Sequence, residues 1–354
     1  MVADDTLKNV PSGVPPLVAI TMGCPVGIGP EIILRFLAEE RQSLPFRPVV
    51  IGEIGVLQRC AKELGFRTDI AAWQPGDPVA PGTIGVREPR KRAGFRLQAE
   101  KLQWGVPTAD TGAAAGACIE EAVQLLATEK LAAMVTCPVS KRALQLGGYP
   151  FPGHTEMLAS LCGTQNFGMM MAGSRLRVSL VTIHTPLAKV VEQLSRAEIR
   201  RIVALTGETL QRDFAIARPR IAVAGLNPHG GESGLFGAEE KALIEPALRG
   251  AGSAGWEVTG PLPPDTVFKM ALDGRFDAVV AMYHDQGLIP FKLVHFADGV
   301  NLTMGLPIVR TSVDHGTAYD IAGQGKASAS SLEAACAMAA RIVAARQKNL
   351  DPEQ

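Results

Sequence analysis

Residues 17–40, LVAITMGCPVGIGPEIILRFLAEE, and the run PVVIG at 48–52 that follows them decide the fold class. LVAITM (17–22) is an apolar run of strand length. Beyond a Gly-rich turn, the spacing predicts a helix from Pro30 through Glu40. Pro30 suits the first helical turn, because the N–H it lacks would be unpaired there anyway. PVVIG is a second strand, and a second helix is expected from Ile54 to Leu64. Strand, helix, strand, helix in this order implies a mostly parallel sheet covered on both faces.

The same alternation extends through the chain. A helix is expected over Thr111–Glu129, then the strand LAAMVT (131–136). Further strands are expected at 168–172, 176–183, 219–224, 277–283 and about 308–312, with helices at 195–212, 237–249 and 328–347. The stretch 73–108, rich in Gly and Pro, reads as the least regular. No internal repeat or low-complexity linker is visible. A chain of 354 residues exceeds the size at which single cores stop growing, about 250–300 residues, so two domains are expected.

Composition narrows the partners. Thirty-five basic and 35 acidic residues balance to zero, which offers no electrostatic footprint for nucleic acid or an anionic membrane. No apolar stretch approaches the roughly 20 residues that span a bilayer. The first 16 residues, MVADDTLKNVPSGVPP, carry acids and prolines and read as a short frayed tail without a secretory signal. Six cysteines with no Cys-x-x-Cys pair suggest reduced, mostly buried thiols and a cytoplasmic setting. Small molecules are the expected partners.

Three of the six histidines sit just after strand-like runs: His184 after VSLVTI, His229 after IAVAGLNP and His284 after DAVVAMY. Ligands of open α/β sheets gather at the carboxyl ends of strands, so these imidazoles are candidate ligands for one divalent metal, each in a polar loop. Imidazoles suit zinc, cobalt or nickel better than magnesium. Gly153-His154-Thr155-Glu156 opens an apolar helical stretch, either as an ordinary cap or as an anion cradle. With Lys292, Asn301 and Arg310, His154 and Thr155 make a candidate phosphate site. The turn Gly23–Glu31 matches neither the dinucleotide fingerprint nor a Walker loop, and reads first as a structural turn.

The stretch SVDHGTAYDIAGQGKA (312–327) resembles the adenosine-binding loop of the β-decarboxylating dehydrogenases, which bind NAD without the usual glycine fingerprint. Together with MGCPVGIGPE (22–31), PGHTE (152–156), GLNPHGGESGLFGAEE (225–240), GPLPPDT (260–266), MYHDQG (282–287) and GVNLTMGLP (299–307), it is similar to the 4-hydroxythreonine-4-phosphate dehydrogenase family of pyridoxal phosphate biosynthesis. These segments keep the family's order over nearly the whole chain.

That resemblance implies an isocitrate/isopropylmalate dehydrogenase-like fold, with two α/β/α domains around a central cleft. One would comprise 1–145 plus 311–354, the other 146–310 with the metal and dimer contacts. It assigns metal binding to His184, His229 and His284, with zinc as the first expectation and cobalt or magnesium as alternatives. Substrate contacts fall to His154, Thr155, Lys292, Asn301 and Arg310. Asp265 and Asp285, with Lys292, fall near the reacting end. The nucleotide, NAD or NADP, falls to Asp314, His315, Gly316, Thr317 and Asp320, with His315 by the adenine and Asp320 by the ribose. It further implies a homodimer whose active sites are shared between subunits. The reaction would be oxidation and decarboxylation of 4-phosphohydroxy-L-threonine to 3-amino-2-oxopropyl phosphate. Similar proteins act on 4-phospho-D-threonate or 4-phospho-D-erythronate. A chain that kept the fold as a phosphate-ligand binder, or an acyl-phosphate transferase on a similar scaffold, is the different-class alternative. One departure stands out: Cys24 occupies a position where the family usually carries an acid.

Overall fold

The computed structural model describes residues 15–39, 44–78, 82–90, 97–128 and 130–350. The expected frayed tail lies outside them up to residue 14, as do the ends drawn at Glu40 and Glu129. The chain forms two compact units, residues 1–165 with 306–344 and residues 166–305 with 345–354.

The first unit opens with β1 (Leu17–Thr21), α1 (Gly29–Glu39), β2 (Arg47–Ile51), α2 (Ile54–Leu64), β3 (Asp69–Ala72) and β4 (Thr83–Arg87). It continues through α3 (Ala109–Ala127), β5 (Ala133–Thr136), α4 (Lys141–Leu146) and α5 (His154–Leu161). The second contains β6 (Gly168–Ala172), β7 (Arg177–Leu180), α6 (Val190–Gln193), α7 (Arg196–Phe214), β8 (Arg220–Ala224) and α8 (Glu245–Leu248). It ends with β9 (Glu257–Leu262), α9 (Val267–Leu272), β10 (Ala278–Ala281), α10 (His284–His295) and β11 (Val300–Met304). The chain then adds β12 (Arg310–Val313) and α11 (Ser330–Leu350).

Strands of the first unit lie in the order β3-β4-β2-β1-β5-β12, all parallel. Val18 to Thr21 and all of β5 are buried, as expected for parallel strands covered on both faces. The turn after β1 needs its glycines for lack of room. A Cβ on Gly23, at φ +71°, would lie 2.4 Å from the Pro138 carbonyl oxygen, and one on Gly29 would lie 2.1 Å from that of Met22. Residues 146–165, counted with the second domain by resemblance, here include α5, which packs against α3.

In the second unit the order is β11-β6-β7-β10-β8-β9, with β11, β6 and β7 antiparallel and the rest parallel. Successive side chains point to opposite faces. Ile221, Val223, Val280 and Met282 join one core with Ile199, Ile202, Val203 and Leu210 of α7. Ala222, Ala224, Val279 and Ala281 join the other with Val267 and Phe268 of α9 and Leu288 and Phe291 of α10. No helix among the described residues is long and apolar enough to cross a membrane.

The expected α/β architecture is thus observed, with local departures. The stretch 73–108 contains β4, whose glycine weakens its sequence signal; a Cβ at Gly85 would lie 3.2 Å from that of Trp73, a tight contact. The helix expected over 237–249 is broken into a π turn, Glu240–Ile244, and the short α8, with Pro246 in its first turn. HDQG, read as a loop, instead opens α10, a helix containing Gly287 and Pro290. Tertiary packing overrides propensity here: a Cβ on Gly287 would meet Val178 Cγ1 at 2.7 Å, so glycine lets α10 lie close against β7.

Five of the six cysteines are buried and Cys162 is partly exposed, all as free thiols. Burial pushes the Cys60 thiol up to about 12 and also raises Cys162, Cys137 and Cys336. A thiol reagent near neutral pH is therefore expected to modify Cys162 first and the buried five only as the protein unfolds. Rapid labelling of Cys60 or Cys118 in the folded protein, read by peptide mass, would contradict this packing.

Candidate active site

Two of the three expected metal ligands come together in one chain. Beyond β7 and β10, Val181 N donates to Ala281 O at 2.9 Å and Thr182 N to Met282 O at 3.1 Å, so the parallel strands deliver His184 and His284 side by side. Their ring centroids are 6.0 Å apart. Imidazoles sharing a tetrahedral metal at about 2.1 Å put their ring centres on the order of 5–6 Å apart, so the pair fits a metal. His284 Nδ1 lies 2.7 Å from Asp285 Oδ1, an arrangement that orients the ring and leaves Nε2 as the nitrogen for any ligand. Gln286, whose importance the sequence did not signal, ties the strand ends together: its Oε1 accepts from Met282 N at 2.7 Å, and its Nε2 donates to Gly225 O at 2.7 Å.

His229 is placed differently. It is exposed and starts a run of six residues with positive φ, His229 to Gly234, and its ring faces Phe236 at 6.1 Å. Left-handed backbone is costly for His, Glu and Ser, so the loop needs an anchor. Buried Glu240 supplies it, accepting from Leu226 N at 2.8 Å, Asn227 N at 2.7 Å and Asn227 Nδ2 at 3.0 Å. Burial alone would raise the Glu240 carboxyl, but these bonds hold it below its ordinary value. Among the described residues of one chain, no group of three or more His, Cys, Asp or Glu is arranged to hold a metal. The expected three-imidazole set is present there only as the His184–His284 pair.

The candidate phosphate ligands of the first unit also converge. His154 and Thr155 open α5, and the His154 Nε2 is buried with no hydrogen-bond partner among the described residues. Arg310, on β12, is buried and donates from Nη2 to Thr136 Oγ1 at 2.7 Å. Burial, and next the Arg310 guanidinium, lower His154 to about 3. Burial lowers Arg310 to about 10, opposed by Glu156. Near neutral pH this corner therefore brings together a neutral imidazole and a buried guanidinium, donors suited to an anion. Because the folded value of His154 lies below that of an unfolded histidine, the unfolded chain binds more protons between pH 6.5 and about 3, and stability falls as pH drops through that window. Urea midpoints at pH 7 and pH 4.5 should show the wild type losing about 2 kcal/mol more than His154→Gln. Equal losses would mean His154 is not buried in its neutral form.

In the second unit, Lys292 is partly buried on α10, Asp285 and Asp265 are exposed, and Asn301, on β11, keeps a buried Oδ1 with no hydrogen-bond partner among the described residues. In the first, the 312–327 segment follows β12. Asp314 N donates to Ser331 Oγ at 3.1 Å. His315 Nδ1 lies 3.0 Å from Gly316 O, while its Nε2 is buried without a partner among the described residues, an unsatisfied group suited to a nucleotide. Gly316 and Asp320 are exposed, and Thr317 O accepts from Ile28 N at 3.1 Å. Cys24 is buried with its Sγ 3.3 Å from Tyr319 Oη.

Residues 45–339 match the family described as pyridoxal phosphate biosynthetic protein PdxA. The chain is 53% identical to a 4-hydroxythreonine-4-phosphate dehydrogenase from Desulfosudis oleivorans, over 92% of this chain and 95% of that protein. It is 44% identical to a D-threonate 4-phosphate dehydrogenase from Salmonella typhimurium, over 92% of this chain and 98% of that one. A crystal structure of 4-hydroxythreonine-4-phosphate dehydrogenase from Klebsiella pneumoniae superposes with a TM-score of 0.85 at 40% identity, covering 94% of this chain and 99% of that chain. Matched over most of its length in sequence and in fold, the chain belongs to the pyridoxal phosphate biosynthetic protein PdxA family.

Proposed function

We propose that the protein is an NAD- and divalent-metal-dependent dehydrogenase that oxidises and decarboxylates 4-phosphohydroxy-L-threonine to 3-amino-2-oxopropyl phosphate, acting as a cytoplasmic homodimer. The observation that carries this reading is the His184–His284 pair at neighbouring strand ends, in a chain whose relatives bear the dehydrogenase name. His184 and His284 would hold the metal together with His229 of a second copy. The exposure of His229, on a loop whose start at Leu226 and Asn227 is bonded to Glu240, supports that arrangement. Zinc fits this donor set best, with cobalt or magnesium as alternatives. When bound, the metal supplies Lewis acidity and the nicotinamide accepts hydride.

The chain's own residues bind and orient the substrate. Arg310 brings charge and neutral His154 a hydrogen bond to the phosphate, with Thr155 beside them at the start of α5. Lys292 and Asn301 would contact the remainder of the substrate, and Asp265 would lie near the reacting carbon. Asp285 would keep the His284 ring oriented. The segment containing Asp314, His315, Gly316, Thr317 and Asp320 would receive the adenosine half of the cofactor.

Purified protein is expected to form NADH from 4-phosphohydroxy-L-threonine, to stop after chelation and to resume when zinc, cobalt or magnesium is returned. Full turnover by metal-depleted protein would refute the mechanism. Relatives named for D-threonate 4-phosphate make that compound the second reading, and kcat/KM values measured side by side decide between the two.

A further inference from the structure

Glu31 lies in the first turn of α1 and is 1% exposed. Its carboxylate accepts two backbone bonds from a segment nearly 300 positions away, Ala327 N to Oε1 at 2.8 Å and Gly325 N to Oε2 at 3.3 Å. One turn further on, Arg35 donates from Nη2 to Gly325 O at 2.8 Å and lies 3.8 Å from Glu31 Oε1. Just before the helix, Ile28 N donates to Thr317 O. The GIGPE stretch thus grips the segment at 317 and again at 325–327. Between those points the segment has no regular helix or strand, and Gly323 and Gly325 both sit at φ +72°. Glycines leave such a segment many conformations to lose on binding. A buried carboxylate is costly unless it is fully bonded, so its retention here as an acceptor for loop amides needs a reason.

We infer that Glu31 is a positioning residue for nucleotide binding: from the side of α1 it holds the 315–327 segment in the shape that receives the adenosine half of NAD. This rests on the reading that the segment is the nucleotide site. Glu31→Gln keeps the size and one acceptor oxygen but turns an amide NH₂ toward the other N–H donor. NAD affinity, measured by calorimetry, should fall about tenfold, as expected for loss of a charge-assisted bond. Hydrogen exchange of the 316–327 amides in the nucleotide-free protein should quicken. KM for the phosphorylated acid should stay within about twofold, a split that general destabilisation would not produce. Arg35→Ala, which removes the second grip, should shift NAD affinity and exchange in the same direction and serves as the test if Glu31→Gln does not fold.

NAD affinity unchanged in the folded variants, or a KM for the acid that rises in step with that for NAD, would overturn the inference. His315→Ala and Asp320→Ala separate the two levels. If both leave NAD binding intact, the segment is not the nucleotide site and the underlying reading fails. If they weaken it while Glu31→Gln does not, the positioning role alone fails.

Discussion

Turnover by His229→Ala protein is expected to fall by about 10²–10³-fold, the scale of losing a group that stabilises developing charge, and bound metal should fall with it. His184 and His284 already face one another at 6.0 Å, whereas His229 stands exposed at the start of a left-handed run whose preceding residues, Leu226 and Asn227, are bonded to Glu240. An exposed imidazole on so constrained a backbone is suited to reach a neighbouring molecule. Mixing inactive His229→Ala with inactive His184→Ala should therefore restore about a quarter of wild-type activity, because half of a randomly exchanged dimer population is mixed and each mixed dimer has one intact site. Metal content by mass spectrometry and NADH formation in the mixture are the readouts. No recovery after verified subunit exchange would show that the ligands do not come from two chains.

A second large effect is expected on α10. Ile289, Leu293 and Phe296 are 62%, 83% and 83% exposed and recur at four- and three-residue intervals, forming one apolar stripe that begins beyond His284. Each would contribute about 1.5–3 kcal/mol if buried between copies, so Leu293→Asp or Phe296→Asp should raise the dimer dissociation constant by roughly 10²-fold or more. Sedimentation should show monomer at concentrations where the proposed wild-type dimer persists. Activity should fall in proportion to the dimer lost, because the proposed metal set needs two chains. A fully active Leu293→Asp monomer would remove both the interface and the shared site.

The sheet was legible because buried parallel strands are written as short unbroken apolar runs. LVAIT, AMVT and RIAVA need no tertiary information to be recognised, and the alternation with amphipathic helices restricts the topology. The histidines were legible because each follows such a run, and in an α/β sheet that places a residue where ligands bind. Weaker local signals were lost. In α10, Gly287 and Pro290 argue against a helix, which forms because that glycine permits close contact with β7. In β4, glycine again hides a strand that Trp73 packs upon.

By itself the sequence determined the α/β class, the family and the residue types available for metal, phosphate and nucleotide, since these follow from apolar period and from motifs read along the chain. Only the tertiary structure decided which of those residues meet: His184 with His284 but not His229 within one chain, Arg310 beside His154, and Glu31 on amides almost 300 residues distant. Such pairings depend on strand register and on backbone approaches of a few ångströms, which no local pattern of side chains encodes.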